Sequence, residues 1–206
     1  VTSSSTKHGA QHLEQGFSRR RSPKIVLGSV HASELRAILP GLLARLPRES
    51  RLVVAPRYLH RLAWLGRIVR RQGWTLRWRS RSSLAAQPGE VLVLDEIGEL
   101  AAAYADATVA FIGGSLVPRG GHNVVEAAAH GVPVVTGPHI GACRQEMTSI
   151  AEAGGGWIAQ NAALAAQRIL EASSYDPRVG AAALSVAREL GTSAEAVHAR
   201  LLALIR

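Results

Sequence analysis

The sequence has little cysteine, little lysine and no long apolar run. Its single cysteine, Cys143, excludes a disulfide bond within the chain and suits a reducing compartment. No apolar run approaches the roughly 18 residues that a membrane-spanning helix needs. No spacing of cysteine and histidine resembles a zinc site, so we expect neither a bound metal nor a cofactor.

Arginine dominates the charge of the chain. The sequence has 24 Lys+Arg against 15 Asp+Glu, a formal net charge of +9, and Lys7 and Lys24 are its only lysines. This excess favours anionic partners such as a nucleotide, a phosphorylated lipid or an anionic membrane surface. Arginines and tryptophans alternate between Trp64 and Arg81, a pattern that also occurs in nucleic-acid binding. We interpret this pattern first as the solvent-exposed face of a helix over 59–72, and a membrane-facing patch is the second interpretation. We expect no nucleic acid as partner.

The chain divides into a polar tail and one domain. Residues 1–22 show no sustained periodicity, which predicts a disordered tail or linker remnant, and Pro23 begins a domain that continues to residue 206. Apolar runs typical of strands occur at 25–27, 52–55, 75–79, 91–94, 107–112 and 132–136. Helical patterns occur between them, at 33–45, 59–72, 96–104 and 124–130, and again at 144–153, 161–173, 177–190 and 193–205. Alternating strands and helices predict an α/β fold with a doubly wound parallel sheet.

The most informative segment runs from Phe111 to His139. It contains an apolar strand, a loop with glycines at 113, 114, 120 and 121, a helical pattern and a second apolar strand. Glycines allow main-chain N–H groups to approach a ligand closely, and a helix N-terminus favours an anion. Asn123 can cap the helix, and Glu126 follows it at capping-box spacing. This segment therefore predicts a phosphate or sugar site.

Polar or glycine-containing motifs follow four of the predicted strands. They are Ser29–His31, Pro56–Arg57, Asp95–Gly98 and Gly113–Asn123. In an open parallel sheet, ligands bind at the carboxyl ends of the strands. We therefore expect the four motifs to meet at one edge of the sheet and to form one site.

In order and spacing, these motifs resemble the C-terminal half of the 3-deoxy-D-manno-octulosonic acid (Kdo) transferases. The resemblance rests on G-S-V-H at 28–31, V-A-P-R at 54–57, D-E-I-G-E-L at 95–100 and G-G-S-L-V-P-R-G-G-H-N at 113–123, and it extends from about Pro23 to Arg206. The chain departs from the family pattern at Val30, at Tyr58 and at 140–143. The resemblance implies a Rossmann-like fold, one lobe of a GT-B glycosyltransferase.

The family transfers Kdo from CMP-Kdo to the lipid A precursor in lipopolysaccharide biosynthesis. The resemblance therefore implies a CMP-Kdo donor, a lipid A precursor as acceptor and an anionic membrane surface nearby. It also implies a location in the cytoplasm or at the cytoplasmic face of the inner membrane.

The resemblance assigns roles to individual residues. Arg57, after Pro56, contacts the CMP moiety, and the main chain of Ile97 and Gly98 meets the cytosine ring. Glu126 binds nucleotide hydroxyls, and Arg119 pairs with the donor carboxylate or phosphate, or lies in solvent. The residues expected around the phosphate and sugar are Ser115, Gly120, Gly121 and Asn123, and Ser29, His31 and His122 are further expected substrate-binding residues.

The family has a second lobe, which binds the acceptor and supplies an acidic general base for the attacking hydroxyl. Nothing before Pro23 resembles that lobe, so the catalytic residue is unknown and we expect this chain alone to be inactive. Two alternatives stay open. One is a non-catalytic module that binds a nucleotide or an anionic sugar, and the other is a UDP-sugar enzyme of the same fold.

Overall fold

The computed structural model of the chain describes residues 22–174 and 176–204. The predicted tail, residues 1–22, lies almost wholly outside the described residues. Seven strands are described: β1 (Lys24–Val30), β2 (Arg51–Pro56), β3 (Thr75–Trp78), β4 (Glu90–Val93), β5 (Val109–Ile112), β6 (Val134–Thr136) and β7 (Gly156–Ile158).

Seven α-helices are described: α1 (Ala32–Leu43), α2 (Leu65–Arg71), α3 (Leu100–Tyr104), α4 (Val125–Ala128), α5 (Arg144–Glu152), α6 (Ala162–Ala172) and α7 (Pro177–Leu204). Short 3-10 turns cover Leu59–Arg61, Arg79–Arg81 and Gly141–Cys143.

The seven strands form one parallel sheet in the order β3-β4-β2-β1-β5-β6-β7. From β1 the chain first winds toward β2, and after β4 it crosses to the other side of β1 and continues through β5, β6 and β7. The winding direction therefore changes between β1 and β5. In sheets of this kind a crevice opens at that point, at the carboxyl ends of the strands.

Helices cover both faces of the sheet, because the strands are apolar on both sides. In β1, Ile25 and Leu27 belong to one buried cluster, which includes apolar residues of α1, α2 and α6. Val26 belongs to a second cluster, which includes residues of α3, α4, α5 and α7. All three strand residues are 0% exposed. The doubly wound α/β prediction is confirmed.

Several predicted boundaries were wrong. Strand β7 was not predicted, because its three residues follow two glycines and are typical of a turn. Helix α3 begins at Leu100 rather than at residue 96, and α4 has only four residues. The two helices predicted after residue 176 form one helix, α7, which continues through Gly191 and Thr192 between them.

Two tryptophans of the basic stretch around α2 pack against other residues of the domain. The guanidinium of Arg36 lies 4.6 Å from the ring centre of Trp64, and that of Arg48 lies 5.4 Å from the ring centre of Trp74. The Trp74 ring is buried and its Nε1 donates to the carbonyl of Leu43 at 3.1 Å. These rings therefore pack against the domain's own arginines and core.

Across residues 22–174 and 176–204, no helix combines the length and the apolar character needed to cross a bilayer. In the same part of the chain, no three histidine, cysteine, aspartate or glutamate side chains are grouped closely enough to hold a metal ion.

Candidate functional site

The carboxyl ends of β1 and β5 approach each other closely at the change of winding direction. Gly113 follows β5, and a Cβ on this residue would lie 2.5 Å from the Ser29 carbonyl oxygen, a distance that real Cβ atoms do not show. Ser29 forms an irregularity in β1 and has φ of 52°, which is unusual for a residue other than glycine. The first glycine after β5 is thus required for packing.

The loop after β5 has two halves with different environments. Its inner half, residues 113–116, is filled by the carboxylate of Glu34 from the first turn of α1. This carboxylate accepts hydrogen bonds from the main-chain N–H groups of Gly114 at 2.8 Å, Ser115 at 3.0 Å and Leu116 at 2.8 Å. It also accepts one from the N–H of His31 at 2.8 Å. Glu34 is 1% exposed, so four main-chain donors surround a buried carboxylate.

Ser115 lies inside the protein rather than at its surface. It is 0% exposed, and its hydroxyl donates to the carbonyl of Ile112 at 2.5 Å and accepts from the N–H of Gly137 at 2.8 Å. These bonds connect the ends of β5 and β6. Its predicted contact with a phosphate or sugar stays a prediction, and its hydroxyl is already committed to the protein.

The outer half of the loop, residues 119–123, is more open. Gly120 and Gly121 have φ of 87° and 79°, a left-handed conformation that favours glycine. Arg119 and Asn123 are exposed, and His122 is half-buried. The Gly121 N–H donates to the carbonyl of Gly114 at 2.9 Å, so the outer half is bonded directly to the inner half.

Asn123 and Glu126 lie at the start of α4. The side-chain oxygen of Asn123 accepts from the N–H groups of Val125 at 3.0 Å and Glu126 at 3.4 Å, as a cap does. The reciprocal bond of the predicted capping box, from the Asn123 N–H to the Glu126 carboxylate, is not found among the described residues. Burial raises the pKa of Tyr104, and the negative charge of Glu126 raises it further.

Four side chains from three strand ends form one cluster. The rings of His31 and His122 are nearly parallel at 6.0 Å, and the Tyr58 ring meets His31 edge-on at 5.7 Å. The guanidinium of Arg57 lies 6.0 Å from the Tyr58 ring centre. Burial lowers the pKa of His122, and the positive charges of Arg57 and His31 lower it further, whereas the Glu34 carboxylate opposes them. The cluster is therefore an electropositive surface in which His122 favours its neutral form.

The loop after β4 presents main chain and an apolar side chain to solvent. Ile97 is 105% exposed, and its neighbour Gly98 is also exposed, with φ of 92°. The carboxylate of Asp95 accepts from the N–H of Ser80 at 2.8 Å and from the Ser80 hydroxyl at 2.6 Å. Burial raises the pKa of Asp95, but hydrogen bonds from Ser80 and from the main chain of Asp95 and Arg79 together outweigh it, and the net shift is downward.

A second contact holds the same loop. The Nε of Arg79 donates to both carboxylate oxygens of Glu99, at 2.7 Å and 2.9 Å. The side chains of Asp95 and Glu99 thus turn back toward the 79–81 turn, and the tip of the loop, residues 96–98, is exposed.

The structure brings most of the predicted residues to one edge of the sheet. Ser29 and His31 follow β1, Pro56 ends β2, and Arg57 donates its main-chain N–H to the carbonyl of Val30 at 2.8 Å. Ile97 and Gly98 follow β4, the neighbour of β2.

Sequence reasoning missed Glu34, although its position three residues after His31 is the spacing of a helix-capping acid.

A groove elsewhere on the domain is lined by none of the predicted site residues. It has a volume of about 560 Å³ and lies between α5 and α7. The candidate site is an open crevice between strand ends and loops, separate from this groove.

Sequence comparison finds relatives whose activity is named. We found no family model that matches the chain. A 3-deoxy-D-manno-octulosonic acid transferase of Chlamydophila psittaci is 33% identical over 129 residues, which cover 62% of this chain and 28% of that protein. A similar protein of Haemophilus influenzae is 35% identical over 120 residues, again covering 28% of its length. The chain spans little more than a quarter of the curated relatives it matches.

Solved structures show which part of those relatives the chain matches. The C-terminal CMP-Kdo binding domain of WaaA from Acinetobacter baumannii is 27% identical, with a TM-score of 0.68, over 87% of this chain and 94% of that one. HepE of Anabaena, solved with UDP, is 16% identical with a TM-score of 0.59, a likeness of fold alone. The fold is that of one lobe of a GT-B glycosyltransferase, as predicted. By sequence, the chain is similar to part of the Kdo transferases, and by fold it is similar to the C-terminal CMP-Kdo binding domain of WaaA.

Proposed function

We propose that this chain is the donor-binding domain of a Kdo glycosyltransferase and that its ligand is CMP-Kdo. The observation that carries the proposal is the convergence of the family's motifs on one crevice. Arg57, His31 and His122 form a single cluster at the outer half of the loop, in which the exposed Arg57 guanidinium carries a positive charge. A negatively charged nucleotide sugar suits that surface in charge.

Each part of the ligand then has a partner. The guanidinium of Arg57 is exposed and suits a phosphate, and Arg119 is exposed and suits the sugar carboxylate or the phosphate. The Glu126 carboxylate can accept two hydrogen bonds from the vicinal hydroxyls of ribose. The uncovered main chain of Ile97 and Gly98 is suited to the edge of the cytosine ring.

Transfer requires a second lobe in this proposal. The acceptor, the lipid A precursor, and the acidic general base belong to that lobe, which in the family lies N-terminal to the donor domain. The basic arginines of this domain suit work at an anionic membrane surface on the cytoplasmic side. The chain alone binds the donor and does not transfer the sugar.

Calorimetric titration of the chain with CMP and UMP tests the donor assignment. We expect CMP to bind more tightly than UMP. Arg57→Gln should weaken CMP binding by roughly tenfold, the loss of one charge-assisted contact. Arg67→Gln, which removes an exposed arginine on α2, is the matched control and should leave the affinity unchanged.

Other outcomes identify the alternatives. Equal binding of CMP and UMP would favour a UDP-sugar enzyme. Binding of neither nucleotide would favour a non-catalytic module that binds an anionic sugar. Kdo transfer by the isolated chain would show that the general base lies within this domain.

A further inference from the structure

We propose that Glu34 is the positioning residue of the glycine-rich loop. Its carboxylate acts as an internal anionic ligand that fills the inner half, residues 113–116, and thereby leaves only the outer half, residues 119–123, to receive an external anion. The first part of this inference concerns the protein alone. Its effect on nucleotide affinity rests on the proposed function.

The contacts of Glu34 are those of a bound anion. Consecutive main-chain N–H groups form a concave anion site when they point inward, and three of the four donors to Glu34 belong to consecutive residues of the loop. Both carboxylate oxygens are used, Oε1 by Ser115 and Leu116 and Oε2 by Gly114 and His31. Bonds from N–H groups to a charged carboxylate are stronger than those to a neutral acceptor.

Helix capping alone does not account for this arrangement. A capping acid in the first turn of α1 needs only the N–H of His31, which supplies one of the four bonds. The other three bonds cross from α1 to a loop about 80 residues later in the chain. Their effect is to fix the conformation of the loop, not the end of the helix.

Occupation by Glu34 excludes a ligand phosphate from the inner half. The three N–H groups already have an acceptor, the carboxylate is 1% exposed, and a second anion there would be repelled. The outer half is coupled to this arrangement in two ways. The Gly121 N–H donates to the Gly114 carbonyl at 2.9 Å. The His122 ring also lies against Gly114, so closely that a Cβ on this glycine would be 3.0 Å from the ring. Release of the inner half should therefore displace the outer half.

Two variants test the proposal. Glu34→Ala empties the inner half, and Glu34→Gln keeps the side-chain size while placing an amide NH₂ where one acceptor oxygen was. Glu49→Gln removes the charge of an exposed glutamate and is the matched control. Amide hydrogen exchange of Gly114, Ser115 and Leu116, measured by NMR without nucleotide, reports the occupation of the inner half directly.

We expect faster exchange of these three amides in both Glu34 variants and wild-type rates in the control. Formate or acetate should slow the exchange in Glu34→Ala, whereas chloride at equal ionic strength should not. Well below the melting temperature, CMP should bind Glu34→Ala roughly tenfold more weakly, and formate should restore the affinity. If Glu34→Ala does not fold, Glu34→Gln carries the same comparison without the rescue.

Unchanged amide exchange in the folded variants would overturn the proposal. So would a lower melting temperature with unchanged CMP affinity, because Glu34 would then stabilise the domain without positioning the loop. Failure of the wild-type chain to bind CMP would refute the proposed function instead, and the exchange rates and the carboxylate rescue would still decide the role of Glu34.

Discussion

The two halves of the glycine-rich loop share one motif but differ in almost every physical respect. The inner half, residues 113–116, is buried, is bonded to Glu34 and needs glycine at residue 113 because β1 and β5 meet there. The outer half, residues 119–123, has two glycines with positive φ and carries exposed polar side chains. The difference teaches that a glycine-rich motif can combine a segment bonded into the core and a segment open to solvent. Substitutions in the two halves should therefore have opposite consequences.

The largest effect on stability should come from the inner half. Gly113→Ala would place a Cβ 2.5 Å from main-chain atoms of Ser29 and Val30, which cannot move without shifting β1. We expect the free energy of unfolding to fall by about 3 kcal/mol. Urea denaturation measures this change. Gly141→Ala is the control, since no atom lies within 4 Å of the added Cβ, and it should be nearly neutral. Equal stability of the two variants would contradict the requirement for glycine at residue 113.

Asn123→Ala tests the outer half with a smaller change. It removes the acceptor of the N–H groups of Val125 and Glu126, so unfolding should cost about 1 kcal/mol less. The variant should also bind CMP more weakly than this loss of stability explains. Thermal denaturation and calorimetric titration on the same sample separate the two effects. Unchanged affinity would assign Asn123 to helix capping alone.

Acid should destabilise the domain through His122. The pKa of this residue in the folded protein is below its ordinary value of 6.5, so the unfolded state binds the proton first as the pH falls. The contribution of His122 to the free energy of unfolding is constant above about pH 6.5. It is lost as the pH falls from about 6.5 toward the folded-state pKa, and it changes no further below that pKa. In the His122→Asn variant, the free energy of unfolding should fall less between pH 7.5 and acidic pH. An unaltered pH profile would contradict the burial and charge that lower the pKa of His122.

Glu126→Gln should have the smallest effect on stability. No hydrogen bond of its carboxylate to Asn123 is found among the described residues, so its loss should leave the melting temperature nearly unchanged and weaken CMP binding. Thermal denaturation and calorimetric titration with CMP measure the two quantities. A large loss of stability with intact binding would instead give Glu126 a structural role.

The fold was predictable because its information is local. Buried parallel strands appear as apolar runs, and β1, β2, β5 and β6 were all located from such runs. Strand β7 has no such signal, because it consists of three residues beside two glycines. The start of α3 depends on contacts of Asp95 and Glu99 with residues 79–80, which are distant in sequence. Patterns along the chain do not record contacts of that kind.

The candidate site was predictable only in part, for the same reason. Strand-end motifs identify which residues reach the crevice, so Arg57, His31 and His122 could be named in advance. The motif letters do not show which side chains turn inward. Ser115 is buried and bonded within the protein, and Glu34 approaches the loop from about 80 residues earlier in the chain. Both facts depend on how α1 packs on the end of the sheet.

The most direct test of the account is an NMR titration of the chain with CMP, followed through its main-chain amide signals. The account predicts that the signals of Gly120–Asn123 shift with increasing CMP while those of Gly114–Leu116 stay nearly constant, since Glu34 already occupies the inner half. Strong shifts confined to Gly114–Leu116 would contradict it, because they would show that the nucleotide phosphate displaces Glu34 and binds in the inner half.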